Sequence, residues 1–171
     1  MKLENIENWN NDAKLKSSFL EKWKSEKESL LVEGKLGVLA RCKESFSISH
    51  YLASNLYPDY KRAVAKVRVS AHKLPIEIER YVKTPRANRV CSLGCNVLGD
   101  EVHFLLECEH LVIKEVYTPI LARLNKQCNE FASLSNKDKL LFLLTSSDND
   151  ILLLTGKLCH KVLNCFNGIN W

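Results

Sequence analysis

Hydrophobic residues recur along most of the chain at intervals of three and four, which is the spacing of one face of an α-helix. This pattern predicts helices over residues 11–32, 58–74, 111–125, 136–145 and 150–166. Residues 35–43 fit either a short extended piece or a helix, and residues 140–144 and 151–154 fit strands by composition alone. Because the last two segments lack alternation and belong to longer helical patterns, we predict a mainly α fold.

Two shorter helices are predicted from cap residues. Ser45 or Ser47 can cap a helix that continues to residue 55, and Asp100 can cap one that continues to Glu107. The side chains expected in the core from the first helix are Phe46, Ile48, Tyr51 and Leu52, and those from the second are Val102, Leu105 and Leu106. Pro119, within residues 111–125, predicts a kink.

The helix over residues 58–74 has one apolar side and a basic remainder. Pro58 can occupy its first turn, and Pro75 is expected to end it. Its apolar side comprises Tyr60, Val64, Val67, Ala71 and Leu74, and Lys61, Arg62, Lys66, Arg68 and Lys73 are expected to project from the rest. Residues 76–90 show no clear period and are predicted to form an ordered basic loop.

The net charge of +5 is unevenly distributed. Residues 59–90 carry nine basic and three acidic side chains, for a net charge of +6, whereas residues 1–58 carry +1 and residues 91–171 carry −2. Such a segment suits nucleic-acid phosphates, because binding releases counterions. A solvated helix face explains the charge equally well. The candidate nucleic-acid-binding residues are Arg62, Lys66, Arg68, Lys73, Arg80, Lys83, Arg86 and Arg89.

Composition indicates an intracellular protein, in the nucleus or the cytoplasm. The chain has 171 residues, of which 46% are hydrophobic, so it can bury a substantial core. Its polar N-terminus does not resemble a signal peptide, and no apolar run is long enough to span a membrane. Seven cysteines, an odd number, fit a reducing compartment better than a disulfide framework.

A cluster of metal-ligating residue types follows the basic segment. Cys91, Cys95, His103 and Cys108 have the spacing C-x3-C-x7-H-x4-C. Zinc prefers thiolate and imidazole ligands, and four protein ligands leave no open position, so a structural zinc site is predicted. Cys108 lies about 140° further round an ideal helix than His103, so both reach one ion only if the helix ends near Glu107, as we predict.

Other interpretations of the cysteines remain open. The four residues of the cluster could be buried without a metal, since a free cysteine often behaves as a small hydrophobe. A redox dithiol is disfavoured because Cys91 and Cys95 are one residue too far apart for C-x-x-C. Gly94 can take a positive φ and absorb that extra residue. Cys159, His160 and Cys165 could form a second, incomplete donor group, but their spacing favours the core of a helix.

The segments from Tyr60 to Tyr81 and from Arg89 to Cys108 resemble the C-terminal region of non-LTR retrotransposon reverse transcriptases. That family carries L-R-x-S-A-H-x-L, I-E-x-G-R-Y, R-x-C-x-x-C and D-E-x-H-F-L-L-x-C in the same order as this chain. The similarity covers about half of the sequence. It departs from the family at Gly94, which lengthens the first cysteine spacing, and at Glu79, which replaces a glycine.

The resemblance implies that Cys91, Cys95, His103 and Cys108 bind zinc and that the module helps a polymerase engage RNA or target DNA. Polymerase and endonuclease motifs are not in the sequence, so we expect a fragment or remnant without catalytic activity. Residues 1–44 would form a charged arm, and residues 45–171 a domain with basic segment 59–90, knuckle 91–108 and C-terminal helices 111–166.

Two alternative functions are weighed against nucleic-acid binding. A zinc-stabilised protein-interaction module would use the apolar helices after Leu111 as its interface. A hydrolase or transferase would use His72 or His103, although His72 is better explained as a cation favoured by the dipole at a helix end. No small-molecule substrate and no membrane partner is expected.

Overall fold

A computed structural model describes residues 13–32, 36–43 and 48–167 of the chain. These ranges contain α-helices, one 3₁₀ turn (Arg86–Asn88), one π-helical turn (His103–Glu107) and no strand, so the predicted mainly α fold is confirmed. The helices are α1 (Ala13–Val32), α2 (Gly37–Cys42), α3 (His50–Ala53), α4 (Pro58–Arg68), α5 (Pro75–Tyr81), α6 (Leu111–Gln127), α7 (Asn129–Ser133), α8 (Asn136–Thr145) and α9 (Asn149–Asn167).

Helix α9 lies at the centre and packs against α4, α6, α8 and the π-helical turn. Its Gly156 allows α4 to approach closely, because a Cβ at this position would lie 2.6 Å from Cβ of Tyr60. The core side chains include Val64, Val67, Phe104, Leu124, Leu158, Val162 and Phe166. Each buried side chain of this size contributes about 1.5–3 kcal/mol to folding, and the packing fixes the turn that carries His103 against the helices.

The C-terminal helices agree with the sequence pattern. Helix α8 spans the predicted residues 136–145, and the Ser135 hydroxyl caps it by accepting a hydrogen bond from the Asp138 amide at 3.2 Å. Helices α6 and α9 also lie where they were predicted, with Pro119 inside α6. The strand alternatives for residues 140–144 and 151–154 are wrong. None of the helices in the described ranges has both the length and the apolar composition that a bilayer crossing requires.

The basic helix is shorter than predicted. Helix α4 ends at Arg68, not near Leu74, because Ser70 takes a φ of 50°. The amide of Ala71 donates to the carbonyl of Lys66 at 2.8 Å, and the amide of Ser70 donates to that of Val67 at 3.3 Å, which together form a Schellman cap. Glycine is the usual residue at this position, so the serine in this sequence did not indicate that the helix ends here.

Residues 76–90 are also more regular than predicted. Pro75 does not end the preceding helix, as was predicted, but begins helix α5, because its fixed φ and missing N–H suit a first helical position. The 3₁₀ turn Arg86–Asn88 follows. Helix α5 spans only seven residues, so it is too short to show a clear hydrophobic period.

The segment before α4 is confirmed only in part. Tyr51 is buried as predicted, but Ile48 and Leu52 are 75% and 50% exposed, so their predicted burial is wrong. The proposed caps Ser45 and Ser47, with Phe46, lie outside the described residues. Residues 35–43 contain helix α2, which packs against α1, α4 and α8.

Candidate metal centre and basic surface

The first two ligand candidates lie on a tight hairpin. Val90 and Leu98 form an isolated antiparallel bridge, and the amide of Cys91 donates to the carbonyl of Val97 at 2.7 Å. Gly94 has the predicted positive φ, at 92°, and lets the loop turn back between the two cysteines. The amide of Leu93 donates to Sγ of Cys91 at 3.4 Å. The hairpin therefore brings Cys91 and Cys95 to one side and supplies one backbone hydrogen bond to the sulfur of Cys91.

The other two ligand candidates lie at the two ends of the π-helical turn. Asp100 caps its start as predicted, since Oδ1 accepts a hydrogen bond from the amide of His103 at 3.0 Å. The turn ends at Glu107, also as predicted. The amide of Cys108 donates to the carbonyl of His103 at 2.7 Å, which is the i→i+5 bond of a π-turn. This wider turn places residues five apart on nearly one face, which an α-helix would not do.

The four side chains meet at one point. The candidate ligand atoms of Cys91, Cys95, His103 and Cys108 all lie within 4.8 Å of one another, so the cluster could hold a metal ion. The sulfurs of Cys95 and Cys108 are 3.8 Å apart. Cys91, His103 and Cys108 are each at most 4% exposed. All cysteines in the described ranges are free thiols.

His103 supplies the observation that tests whether a metal fits this site. Its Nε2 is buried and has no hydrogen-bond partner among the described residues. Burial lowers the pKa of the imidazole, which favours the neutral ring with a free lone pair. A buried polar atom without a partner costs about 1–3 kcal/mol, and a bound cation would satisfy it. The donor set and this nitrogen therefore fit a metal ligated by thiolates and one imidazole.

The sulfurs occupy contrasting environments. Burial raises the pKa of the Cys108 thiol to about 12. Burial also acts to raise the pKa of Cys95, but hydrogen bonds, including those from the amides of Glu109 and His110, outweigh it and lower that pKa. Backbone amides aimed at a sulfur stabilise its thiolate, which is the form that ligates metals. The hydroxyl of Tyr117 donates to the carbonyl of Cys108 at 3.2 Å and fixes its backbone.

A buried polar network joins the metal-ligand cluster to the end of helix α4. Oε1 of Glu101 accepts a hydrogen bond from the Ser70 hydroxyl and contacts Nε2 of His72, each at 3.0 Å. Burial would raise the pKa of Glu101, but the hydrogen bond and charge of His72 lower it overall. Because α4 ends at Arg68 and α5 begins at Pro75, the prediction that His72 lies at a helix end is wrong. This histidine instead pairs with Glu101, two residues before His103.

The predicted nucleic-acid-binding residues separate into three groups. Arg62, Lys66 and Lys73 are exposed, as predicted, and Lys83 and Arg86 are exposed as well. Among them, Arg62 is paired with Asp59 at 2.8 Å. Arg62 and Lys66 line a groove of about 260 Å³ together with His160 and Asn164 of α9. This exposed group offers cationic side chains to solvent on both sides of the α4–α5 connection.

Two further arginines are half-buried and have partners within the protein. Nε of Arg80 donates to Glu77 at 3.0 Å, and its guanidinium lies 4.6 Å from the centre of the Tyr81 ring. Arg89 donates to the carbonyls of Thr84 and Ile76 at 2.9 and 3.1 Å. Arg89 therefore ties the segment before the first cysteine to helix α5.

Arg68 does not lie on the basic surface, and that prediction is wrong. Its side chain is 3% exposed and donates to the carbonyls of Leu144 and Cys42. These carbonyls belong to the last turns of α8 and α2, where the helices leave carbonyl groups without internal partners. Arg68 is thus a shared C-terminal cap for two helices, a role that no local sequence pattern signals.

The cysteines outside the cluster pack against the hydrophobic core. Cys159 is 2% exposed, as its helical spacing predicted, and burial raises its pKa to about 12. Cys42, Cys128 and Cys165 are partly buried against the same core. In the described ranges, the potential metal-binding group is the one formed by the four clustered residues.

Comparisons with known protein families, with curated proteins and with solved structures give no match. The resemblance to the C-terminal region of retrotransposon reverse transcriptases therefore stays a prediction from sequence motifs.

Proposed function

We propose that this protein is a zinc-stabilised, helical nucleic-acid-binding module without catalytic activity. The observation that carries the proposal is the convergence of three thiols and an imidazole directly after the +6 segment. The similarity of residues 60–81 and 89–108 to retrotransposon reverse transcriptases supports the same function. It also suggests that the module once served, or still serves, a polymerase.

Zinc is the ion that the cluster fits best. A tetrahedral zinc with bonds of about 2.3 Å to sulfur separates two coordinating sulfurs by about 3.8 Å. The distance between the sulfurs of Cys95 and Cys108 is 3.8 Å. With Cys91 and His103 as the remaining ligands, no coordination position stays open for a reactant, so the bound zinc would stabilise the fold. By stabilising this region, the zinc would also hold the segment with the exposed Lys83 and Arg86 in position beside the site.

The zinc proposal is tested by measuring the metal content of the purified full chain. We expect about one zinc per chain by mass spectrometry, and loss of this zinc from a Cys95→Ala variant. Cys128→Ala is the matched control, since Cys128 is half-buried but lies outside the cluster. Purified protein that neither contains nor takes up zinc would contradict the proposal.

Nucleic-acid binding is tested by its salt dependence. A fluorescently labelled RNA or DNA strand should bind at low salt, and log K should fall linearly with log salt concentration. Neutralising Lys83 and Arg86, which are both exposed, should lower the slope by about one for each phosphate that is no longer bound. Exposed Lys126 and Lys161, outside the segment, provide charge-matched controls. A folded, zinc-loaded protein that binds neither RNA nor DNA at low salt would refute this function.

A second candidate is a protein-interaction module. Leu111 and Val112, at the start of α6, are 67% and 53% exposed, which is unusual for adjacent large aliphatic residues. Under this proposal, a protein partner would remain bound after nuclease treatment and would be released by Leu111→Asp. Thr118→Asp, which changes the exposed face of the same helix without removing an apolar side chain, is the control.

A further inference from the structure

A groove of about 220 Å³ lies between the start of α4, the last turns of α6 and the first half of α9. Tyr57 and Tyr60 line it from α4, Arg123 from α6, and Leu153 and Lys157 from α9. Two of these residues expose large apolar groups, since Tyr57 is 67% exposed and Leu153 is 40% exposed. The groove therefore combines an aromatic ring, an aliphatic wall and two cations on one surface.

The ring of Tyr57 is not needed to begin helix α4. Only its main chain takes part, because its carbonyl accepts hydrogen bonds from the amides of Tyr60 and Lys61 at 3.0 and 3.1 Å. The side chain makes no cap hydrogen bond. An exposed tyrosine ring of this kind is an apolar face that a flat ligand can cover by stacking.

Three aromatic rings continue from this groove along the contact between α4 and α9. The ring centres of Tyr57 and Tyr60 are 5.6 Å apart, and those of Tyr60 and His160 are 5.5 Å apart. His160 also lines the groove that contains Arg62 and Lys66. The groove at Tyr57 is thus joined by aromatic contacts to part of the basic surface proposed for nucleic-acid binding.

The cations of the groove suit phosphate oxygens. Arg123 is exposed and Lys157 is half-buried, and neither forms an ion pair with an acidic residue of the described ranges. Asp150 also lines the groove, seven residues before Lys157 and about 10 Å further along the axis of α9. Leu153 lies between them on the helix, so a phosphate beside Lys157 would be separated from this carboxylate by an apolar wall.

We propose that this groove binds an unpaired base of a single-stranded nucleic acid, with the base stacked on Tyr57 and a neighbouring phosphate at Arg123 and Lys157. The inference rests on the proposed nucleic-acid binding and specifies that the strand is single. Proteins commonly hold single strands with aromatic rings beside cations, because every base has a π-face that can stack. The bases of a duplex are already paired and stacked, so they cannot enter the groove.

The size of the groove agrees with this occupant. Its volume is below that of typical small-molecule sites, which suits one base better than a whole cofactor. The remaining nucleotides of the strand would continue along α4 and α9 towards Arg62 and Lys66.

Fluorescence anisotropy with the full-length protein tests the proposal. A labelled single strand of about ten nucleotides and a hairpin duplex of the same composition are titrated separately, as RNA and as DNA. Tyr57→Ala should weaken single-strand binding about tenfold, as expected for the loss of one stacked base, and should change duplex binding by less than about twofold. Tyr57→Phe keeps the ring and should bind the single strand as tightly as the unsubstituted protein.

Matched variants locate the effect in this groove. Tyr81→Ala is the aromatic control, because Tyr81 is 69% exposed but lies outside the groove, and it should change single-strand binding by less than about twofold. Arg123→Gln should lower the salt dependence of single-strand binding, whereas Lys137→Gln, at an exposed cation on α8, should not. Equal weakening by Tyr57→Ala and Tyr81→Ala, or equal weakening of strand and duplex by Tyr57→Ala, would overturn the proposal.

Photochemical cross-linking locates the base directly. A single strand that carries 5-iodouracil, which reacts on irradiation with an aromatic ring stacked against it, should become linked to the peptide that contains Tyr57. Cross-links to other peptides alone would overturn the proposal. A protein that binds strand and duplex equally, with no effect of Tyr57→Ala, would keep the proposed nucleic-acid function and lose this inference. A protein that binds neither would lose both.

Discussion

The metal-ligand cluster and the Arg68 junction both organise polar groups in the interior, but they are assembled over different distances along the chain. The four candidate ligands lie within 18 consecutive residues. Arg68 instead joins carbonyls that are 26 and 76 residues away. The first arrangement is encoded in a short motif, whereas the second exists only after α2, α4 and α8 have packed. The comparison shows why one was predicted and the other was missed.

Removing the proposed zinc should have the largest effect, and it tests the local cluster. Structural zinc stabilises a fold by on the order of 10 kcal/mol, so a chelator or Cys108→Ser should unfold at least residues 91–108. Hydrogen exchange at the amides of Phe104 and Leu105, which are buried, measures this loss. Cys165→Ser, at a half-buried cysteine outside the cluster, should leave their protection intact. Undiminished protection after complete chelation would show that the hydrophobic core alone holds this region.

Replacing Arg68 tests the long-range junction. Arg68→Leu removes the partner of two carbonyls in the last turns of α2 and α8, and each buried group left unsatisfied costs about 1–3 kcal/mol. We expect the free energy of unfolding to fall by about 2–4 kcal/mol in a urea titration.

Lys66 provides a control on the same helix. Its side chain is exposed, so Lys66→Leu should change the free energy of unfolding by no more than about 0.5 kcal/mol. Equal effects of the two substitutions would mean that the buried hydrogen bonds of Arg68 contribute little to the free energy of unfolding.

Local patterns were enough to predict the helices α6, α8 and α9 and the ligand cluster. Each depends on residues close together in sequence, such as the Ser135 cap or the Asp100 bond to His103. The sequence also predicted that the helix must end near Glu107, but not that a π-turn would align His103 with Cys108. Within that turn Phe104 packs against Phe166, with the ring centres 4.7 Å apart, and this contact between distant residues is not visible in the local sequence.

Apart from the exposed Ile48 and Leu52, the errors lie between residues 68 and 90, where tertiary interactions override local preference. A serine in the left-handed conformation ends α4, and its hydroxyl donates a hydrogen bond to Glu101, 31 residues away. Arg68 has the same helical spacing as exposed basic residues and cannot be distinguished from them until its partners are known. The basic segment was therefore predicted correctly as a charged region, but the sequence could not say which of its cations face solvent.

Ser70 follows the end of α4 and bonds to Glu101 beside the ligand cluster, so it connects the two regions. Replacing it should lower the stability by an intermediate amount. Ser70→Ala removes a donor to the buried Glu101 carboxylate, and alanine meets the same strain as serine at the φ of 50°. We expect a loss of about 1–3 kcal/mol in the free energy of unfolding, because the carboxylate loses a charge-assisted hydrogen bond. Thermal or urea unfolding of the zinc-loaded protein measures it.

Ser133 provides the matched control for this change. Its hydroxyl also donates a hydrogen bond, at 2.8 Å to the carbonyl of Glu130, but the pair is exposed. Ser133→Ala should therefore cost less than about 0.5 kcal/mol. If both serine variants lost the same stability, burial of the Ser70–Glu101 bond would not matter.

The smallest loss of stability is expected for substitutions of Gly94, which contributes only its backbone conformation to the loop between Cys91 and Cys95. Its φ of 92° is unfavourable for other residues, but a Cβ there would have no neighbour within 4 Å. Gly94→Ala should therefore cost about 1 kcal/mol through strain and weaken zinc binding about fivefold, measured by competition with a chromogenic chelator. Gly94→Asn should cost less, because asparagine tolerates positive φ. If alanine and asparagine were as stable as glycine, the loop would reach both cysteines by another backbone path, and the lengthened spacing would need no glycine.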